Sequence, residues 1–339
     1  MPNYKESGID IDKVQSTLSQ IKSTIEDTYT SAVLSKTGNF GGLFSLATND
    51  IKPENAILVS SIDGVGTKTE VAVLAKRFEN IGRDIVAHSV NDILVHGARP
   101  LFFLDYFASS QIKPAQLIKV IEGAAKACKE VNCILLGGET AEMPGVYNPG
   151  SLDLVGAIVG LTYPEILLPR NNIEPGDWLL GLPSSGLHTN GYTLARKLML
   201  TDTKDINYKW QELGGQSTAD ALLKPHISYF NELWQPIKHN RIKALVHITG
   251  GGFYDNIPRI LPKEVGGEID ATSWKIPKLF KLLVKLGNLS TREAFRTFNM
   301  GIGMVIIASK AQGTLLLNNN KNWKKIGRCI TGNGIKIKV

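Results

Sequence analysis

The sequence predicts a two-domain α/β protein, and three observations carry that prediction. Its 339 residues suffice for about two domains of ordinary size, and 43% apolar content gives each a core. Apolar, β-branched runs of strand length alternate with stretches of helical period along the whole chain. Prolines 164, 169 and 175, with Asn171-Asn172 among them, interrupt that alternation, which sets the domains at 1–168 and 169–339. Composition then excludes several classes. No apolar run approaches the roughly 18 residues of a membrane span. The longest, Leu154 to Tyr163, is closed by Asp153 and Pro164. Met1-Pro2-Asn3-Tyr4-Lys5-Glu6 has no apolar signal region. The three cysteines, Cys128, Cys133 and Cys329, are odd in number and lack Cys-x-x-Cys spacing, which argues against a disulfide framework or a zinc site and fits a reducing cytoplasm. A net charge of +7 suits anionic ligands, but the dispersed lysines without interleaved aromatics argue against nucleic acid.

In chain order, Val14, Leu18, Ile21 and Ile25 mark an amphipathic helix that places Lys22 ahead of a glycine-rich loop containing Gly38, Gly41 and Gly42. Such a loop covers a ligand or is an ordinary surface connection. Ala56 to Ile62 reads as a buried strand delivering Asp63 at its carboxyl end into Asp63-Gly64-Val65-Gly66-Thr67-Lys68. An acid, two glycines that admit close backbone approach, a hydroxyl and a lysine suit a metal-bridged phosphate. A hairpin turn with a solvated acid and lysine accounts for the same residues, and neither a Walker A nor a dinucleotide fingerprint is present. Ile81 to Gly97 reads as a helix with Asp84, His88 and Asp92 four apart on one face. A strand, Leu101 to Phe107, and a helix, Pro114 to Glu130, follow. The strand Cys133 to Leu136 then runs into Gly137-Gly138-Glu139, again an acid beside glycines at a strand end. A buried strand from Leu154 to Leu161 closes the first half.

The second half holds two strand, small-residue-loop, helix units. Asp177 to Leu182 enters Ser184 to Tyr192, and Ala244 to Ile248 enters Thr249-Gly250-Gly251-Gly252. Helix N-termini of this kind hold anions, although each is also an acceptable tight connection. Each has a histidine beside it, His188 and His247. A helix near Pro277 to Leu286, the segment Arg296 to Met304, a buried strand through Ile307 and two short terminal strands complete the chain.

These motifs together closely resemble the phosphoribosylformylglycinamidine cyclo-ligases, also called aminoimidazole ribonucleotide synthetases. The resemblance rests on Asp63 to Lys68, Val90-Asn91-Asp92, Gly137 to Gly145, Ser185 to Tyr192, His247 to Gly252 and Arg296-Thr297-Phe298-Asn299, and it runs from Tyr4–Asp10 to about Met304. It implies an AIR-synthase-like α/β (α+β) fold. The N-terminal domain would bind ATP and pair its mixed sheet across a homodimer, and the C-terminal α/β domain would bind substrate and phosphate. The implied reaction takes ATP and formylglycinamidine ribonucleotide to aminoimidazole ribonucleotide, ADP and phosphate in purine biosynthesis. By position, Asp63, Asp92 and Glu139 are the implied Mg2+ ligands. Lys68 with Gly64, Gly66 and Thr67 would meet ATP phosphates, and Lys22, Gly41 and Gly42 would border the nucleotide. Ser185, Gly186, His188, Asn190, Gly250, Gly251, Gly252, Arg296 and Asn299 would hold the ribotide. Lys68, His188 and His247 are the catalytic candidates, and which histidine moves the proton stays open. Pro225-His226-Ile227-Ser228-Tyr229 departs from the family's Pro-Thr-Arg-Ile-Tyr and loses an arginine. Thr189 and Thr193 stand where serine is usual, which keeps a hydroxyl. Sister enzymes share the fold, but no cysteine precedes Cys128, as selenophosphate synthetase would require, and the chain does not end in cysteine, as the hydrogenase-maturation dehydratase would. A non-catalytic scaffold would tolerate loss of the motif acids, and all are present.

Overall fold

The computed structural model describes residues 11–39, 41–48 and 51–339. Tyr4–Asp10 and Phe40 of the glycine-rich loop lie outside the described residues. The chain divides into two compact units, Met1–Ile93 with Arg99–Pro164, and Leu94–Ala98 with Glu165–Val339. The short excursion of Leu94–Ala98 has a local cause: the Leu168 N–H donates to the His96 carbonyl at 3.3 Å.

In the first unit, α1 (Ile11–Glu26) buries Thr17, Ile21 and Ile25, while Leu18 turns outward. The unit continues through β1 (Ile57–Gly64), α2 (Lys68–Ala75), α3 (Glu79–Leu94), β2 (Arg99–Ser109), α4 (Pro114–Glu130), β3 (Ile134–Glu142) and β4 (Leu152–Thr162). The sheet order is β1-β4-β2-β3, with only β2 and β3 parallel. Helices α3 and α4 meet backbone to backbone. A Cβ at Gly82 would stand 1.9 Å from the Val120 carbonyl oxygen, and one at Gly123 2.0 Å from that of Glu79, so the crossing requires glycine on both helices. That contact seats α3 against the face of the sheet carrying Phe103 and Gly156.

Two sequence expectations change here. Strand β1 is not buried: Leu58 and Ile62 are 57% and 72% exposed. It is an edge strand, and strand alternation turns only every second side chain toward α3. Strand β3 does not stop before its glycines either. Pairing with β2 continues from Leu104↔Gly137 to Ser109↔Glu142, because a neighbouring strand supplies the ladder whatever the local propensity.

The second unit contains β5 (Trp178–Pro183), α5 (Tyr192–Met199), the small ladder β6 (Lys209–Trp210) and β7 (Gln216–Ser217), α6 (Thr218–Leu222), α7 (Phe230–Lys238), β8 (Ala244–His247), α8 (Gly252–Asn256), β9 (Val265–Asp270), α9 (Lys278–Gly287), α10 (Thr291–Thr297), β10 (Ile302–Ala308), α11 (Lys310–Asn319), β11 (Lys324–Thr331) and β12 (Ile335–Lys338). Its sheet order is β12-β9-β11-β5-β10-β8. Strands β5 and β8 each run antiparallel to β10, hence parallel to one another. Their carboxyl ends therefore emerge at one edge, beside the amino end of β10. No helix among the described residues is long and apolar enough to cross a membrane.

Candidate active site

The first unit gathers two charge clusters along α3, whose Asp84, His88 and Asp92 follow at four-residue spacing. Asp84 faces Lys68 at the start of α2, with Nζ and Oδ2 2.7 Å apart and neither side chain exposed. Burial lowers the Lys68 pKa, and the Asp84 charge opposes that shift. One turn on, His88 Nε2 lies 2.8 Å from Asp63 Oδ2 and 3.3 Å from Asp92 Oδ2, and Ser61 donates to Asp92 at 3.3 Å. Burial alone would pull the imidazole pKa down, but the hydrogen bonds and charges of the two aspartates outweigh it and raise it to about 9. The hydrogen bond from His88 in turn holds the Asp63 carboxyl below its usual range. Asp63 and Asp92 thus point at one position and remain partly open to solvent.

The second unit builds its site from loops at the β5, β8 and β10 edge. Asn299, buried just before β10, ties the first loop down. It accepts from Ser184 Oγ and the Gly301 N–H, each at 2.9 Å, and donates to the Gly186 carbonyl at 2.8 Å. The second loop is tied by Asn256, whose Nδ2 donates to the Thr249, Gly250 and Gly252 carbonyls at 3.3, 3.1 and 2.8 Å. The two loops meet where a Cβ at Gly250 would stand 3.3 Å from Asn190 Oδ1. His188, at φ 61°, occupies the left-handed region that non-glycine residues rarely adopt, a strain characteristic of functional turns. Its ring stacks on His226 at 4.0 Å, and His226 Nε2 is 3.1 Å from His247 Nε2. Gly303 admits this cluster, since a Cβ there would stand 2.2 Å from the Tyr229 hydroxyl and 2.5 Å from His188 Cε1.

The predicted residues are therefore only partly assembled within each unit. Asp63 and Asp92 converge. Glu139 does not join them, because it is exposed on β3, at the opposite edge of the sheet from β1. Lys68 follows Gly64, Gly66 and Thr67 as expected, but its ammonium is turned inward to Asp84 and not outward to a ligand. Lys22 makes an exposed 3.8 Å pair with Glu26, Gly41 is exposed, and Gly42 packs on Leu136. Ser185, Gly186, His188, Asn190 and Gly250 to Gly252 lie in the two loops. Arg296 sits on α10 with Nε 3.0 Å from Asp255. Three residues were missed. Asp84 and His88 were visible in the four-residue spacing but received no role, and His226 was visible as the departure in Pro225 to Tyr229.

Comparison with known proteins fits this architecture. The family described as AIR synthase related protein, N-terminal domain, matches residues 45–162, and its C-terminal domain counterpart matches residues 174–339. The chain is 45% identical over 305 residues to the phosphoribosylformylglycinamidine cyclo-ligase of Thermoanaerobacter sp. (strain X514), covering 90% of this chain and 89% of that protein. It is 41% identical over 339 residues to the cyclo-ligase of Bacillus cereus (strain AH187), covering 98% and 96%. Among solved structures, thiamine-monophosphate kinase from Stenotrophomonas maltophilia K279a matches with a TM-score of 0.68 at 17% identity, over 95% of this chain and 96% of that one. At that identity the likeness shows the fold alone.

Proposed function

The chain belongs to the phosphoribosylformylglycinamidine cyclo-ligase family, with both AIR synthase related domains present, and from that premise we propose that it closes the imidazole ring of purine biosynthesis. ATP and formylglycinamidine ribonucleotide give 5-aminoimidazole ribonucleotide, ADP and phosphate. The observation that carries the proposal is the 41% identity over 98% of this chain and 96% of the Bacillus cereus relative, which spans both units of the chain.

A formamide carbonyl is a poor electrophile. Its oxygen attacks the γ-phosphorus of ATP, ADP departs, and the carbonyl oxygen becomes part of a phosphate leaving group. The ribosyl-bearing nitrogen then bonds to the formyl carbon, the C–O bond breaks with release of phosphate, and the ribosyl-bearing nitrogen and the former formamide nitrogen each lose a proton, one of which leaves on the phosphate. Phosphoryl transfer of this kind rests on positioning and electrostatics. The converging, solvent-reached carboxylates of Asp63 and Asp92 are the hard oxygen donors that Mg2+ prefers, so we assign them to the ion. When bound, Mg2+ neutralises charge on the ATP phosphates. Gly64, Gly66 and Thr67 form the adjoining phosphate turn. Lys68, held by Asp84, acts as a positioning residue that anchors α2 behind that turn. The loops Ser185 to Asn190 and Gly250 to Gly252 hold the ribotide, and the proton passes through His188 or His247.

The reading includes a homodimer, and the exposed Leu58 and Ile62 on the open face of the first sheet support it. Covering each contributes up to about 1.5–3 kcal/mol. A monomer by light scattering for the wild type, or an unchanged dimer for the double variant Leu58→Asp/Ile62→Asp, would refute that interface. The three cysteines are free and buried, in keeping with a cytoplasmic enzyme. The catalytic test incubates purified protein with ATP and Mg2+, with and without the ribotide, and follows ADP and aminoimidazole product together. Equal release of both, only with ribotide, is expected. ATP turnover without product would refute ring closure and point to a sister activity.

A further inference from the structure

The reaction above leaves two histidines as candidate proton carriers, and their surroundings differ. His247 closes β8, where the ladder with Met304 of β10 fixes its backbone without help from its ring. His188 lies in the loop after β5 and has no ladder to hold it. Its φ of 61° falls in a region that asparagine enters readily and most side chains avoid. That turn folds the imidazole back over its own loop, where the Ser185 N–H donates to Nε2 at 3.3 Å.

The rest of the ring meets two other elements. One face stacks on His226 at 4.0 Å with 22° between planes, which gives the segment Pro225 to Tyr229 a part in supporting the loop. The edge carrying Cε1 and Nδ1 faces β10, where a Cβ on Gly303 would stand 2.5 and 3.1 Å from those two atoms. The same Cβ would stand 2.2 Å from the Tyr229 hydroxyl, which donates to the Pro183 carbonyl at the end of β5 at 2.9 Å. His188 is 1% exposed, so its ring joins the loop to β10 and to the Pro225 to Tyr229 segment as an internal strut. A proton carrier needs an edge that meets substrate or solvent, whereas here one nitrogen accepts from the loop backbone and the other faces the sheet. We propose that His188 is a positioning residue that shapes the Ser185 to Asn190 loop for the ribotide, and that the proton not carried off by phosphate passes to His247. The inference rests on the ring-closure reading, but its first test does not.

Amide hydrogen exchange of the Ser185 to Asn190 loop reports the strut in the protein alone, whatever the enzyme turns over. His188→Val removes the acceptor and puts a β-branched residue at a positive φ, and it should speed exchange about tenfold or more. His188→Asn tolerates that φ and keeps an acceptor oxygen but cannot carry a proton at neutral pH, so it should restore most of the protection. Equal exchange in the wild type and both variants would overturn the proposal. In turnover, His188→Val should raise KM for the ribotide about tenfold or more and leave KM for ATP within about twofold. His188→Asn should recover most of that loss, and its kcat should keep the wild-type pH profile. His247→Asn should instead lower kcat about 100-fold or more, in the range of acid–base contributions, and remove a limb of that profile. A limb lost in His188→Asn and kept in His247→Asn would overturn the assignment and make His188 the proton carrier. If His188→Val does not fold, the exchange and pH profile of His188→Asn against His247→Asn decide the question.

Discussion

The two units solve the problem of placing polar groups in opposite ways. Along α3 the groups are charged: the fully enclosed Lys68 balances Asp84, and His88 balances Asp63 and Asp92. At the β5, β8 and β10 edge the loops are held by neutral groups, amides, a hydroxyl and loop carbonyls, beside three imidazoles. A charge cluster is held by attraction that burial strengthens, so loss of one partner leaves an uncompensated ion. A neutral cluster is held by the direction of hydrogen bonds, so loss of one member costs less stability and more alignment.

Asp92→Ala sharpens the comparison most. Removing one of two converging carboxylates should take Mg2+-dependent turnover down by about 10⁴-fold, roughly 5 kcal/mol at the barrier. The fold should survive, because Asp92 is partly exposed and its partner His88 keeps Asp63. Turnover with unchanged Mg2+ dependence would break the metal assignment. Asp84→Ala should act on stability instead, by about 3–5 kcal/mol in denaturant unfolding, since it strands a buried lysine. The double variant Lys68→Met/Asp84→Leu should regain much of that loss. If Asp84→Ala alone is neutral, the buried pair is not what holds α2 to α3.

On the neutral side, Asn299→Ala leaves the Gly186 carbonyl, the Ser184 hydroxyl and the Gly301 N–H without this partner. A loss of about 1–3 kcal/mol is expected. Because the same side chain fixes the loop proposed to hold the ribotide, KM for the ribotide should rise while KM for ATP stays. Equal changes in both would show that the loop does not discriminate between them.

How much of this was legible in the sequence follows the same division. The charge cluster announced itself through helical spacing, because residues four apart on α3 must share a face. What spacing could not show was pairing between elements: that Asp84 takes Lys68, and that His88 reaches Asp63 on β1. Glu139 was grouped with the other acids by the family resemblance and because, like Asp63, it sits beside glycines at the end of an apolar run, a local signal that carries no information on strand order; the sheet puts β3 at the far edge. The exposed face of β1 was hidden for a related reason. An apolar run reads alike whether both faces pack inside or one face awaits a partner. In the second unit the two glycine-containing loops were found from their turn residues, but their meeting depends on β10 inserting between β5 and β8, a long-range pairing. His226 was visible only as an irregular residue in a familiar segment, and its neighbours come from two distant stretches of chain, His188-Thr189 and His247.

The smallest effect tests the charge cluster through pH. In the unfolded chain a histidine titrates near 6.5, whereas folded His88 is raised to about 9. A raised pKa means that the folded state binds the proton more tightly, so the stabilisation is fully present below about pH 6.5. It is lost as pH rises through 9. Unfolding free energy measured without divalent ions should therefore fall across this window, by no more than about 1.4 kcal/mol per pH unit from this group. His88→Gln should remove that component, while the slope from other groups remains. Saturating Mg2+ should also reduce it in the wild type, because the ion and the imidazolium draw on the same two carboxylates. A slope that is the same in His88→Gln would place the titration elsewhere. One that Mg2+ leaves untouched would separate the metal site from the Asp63 and Asp92 pair.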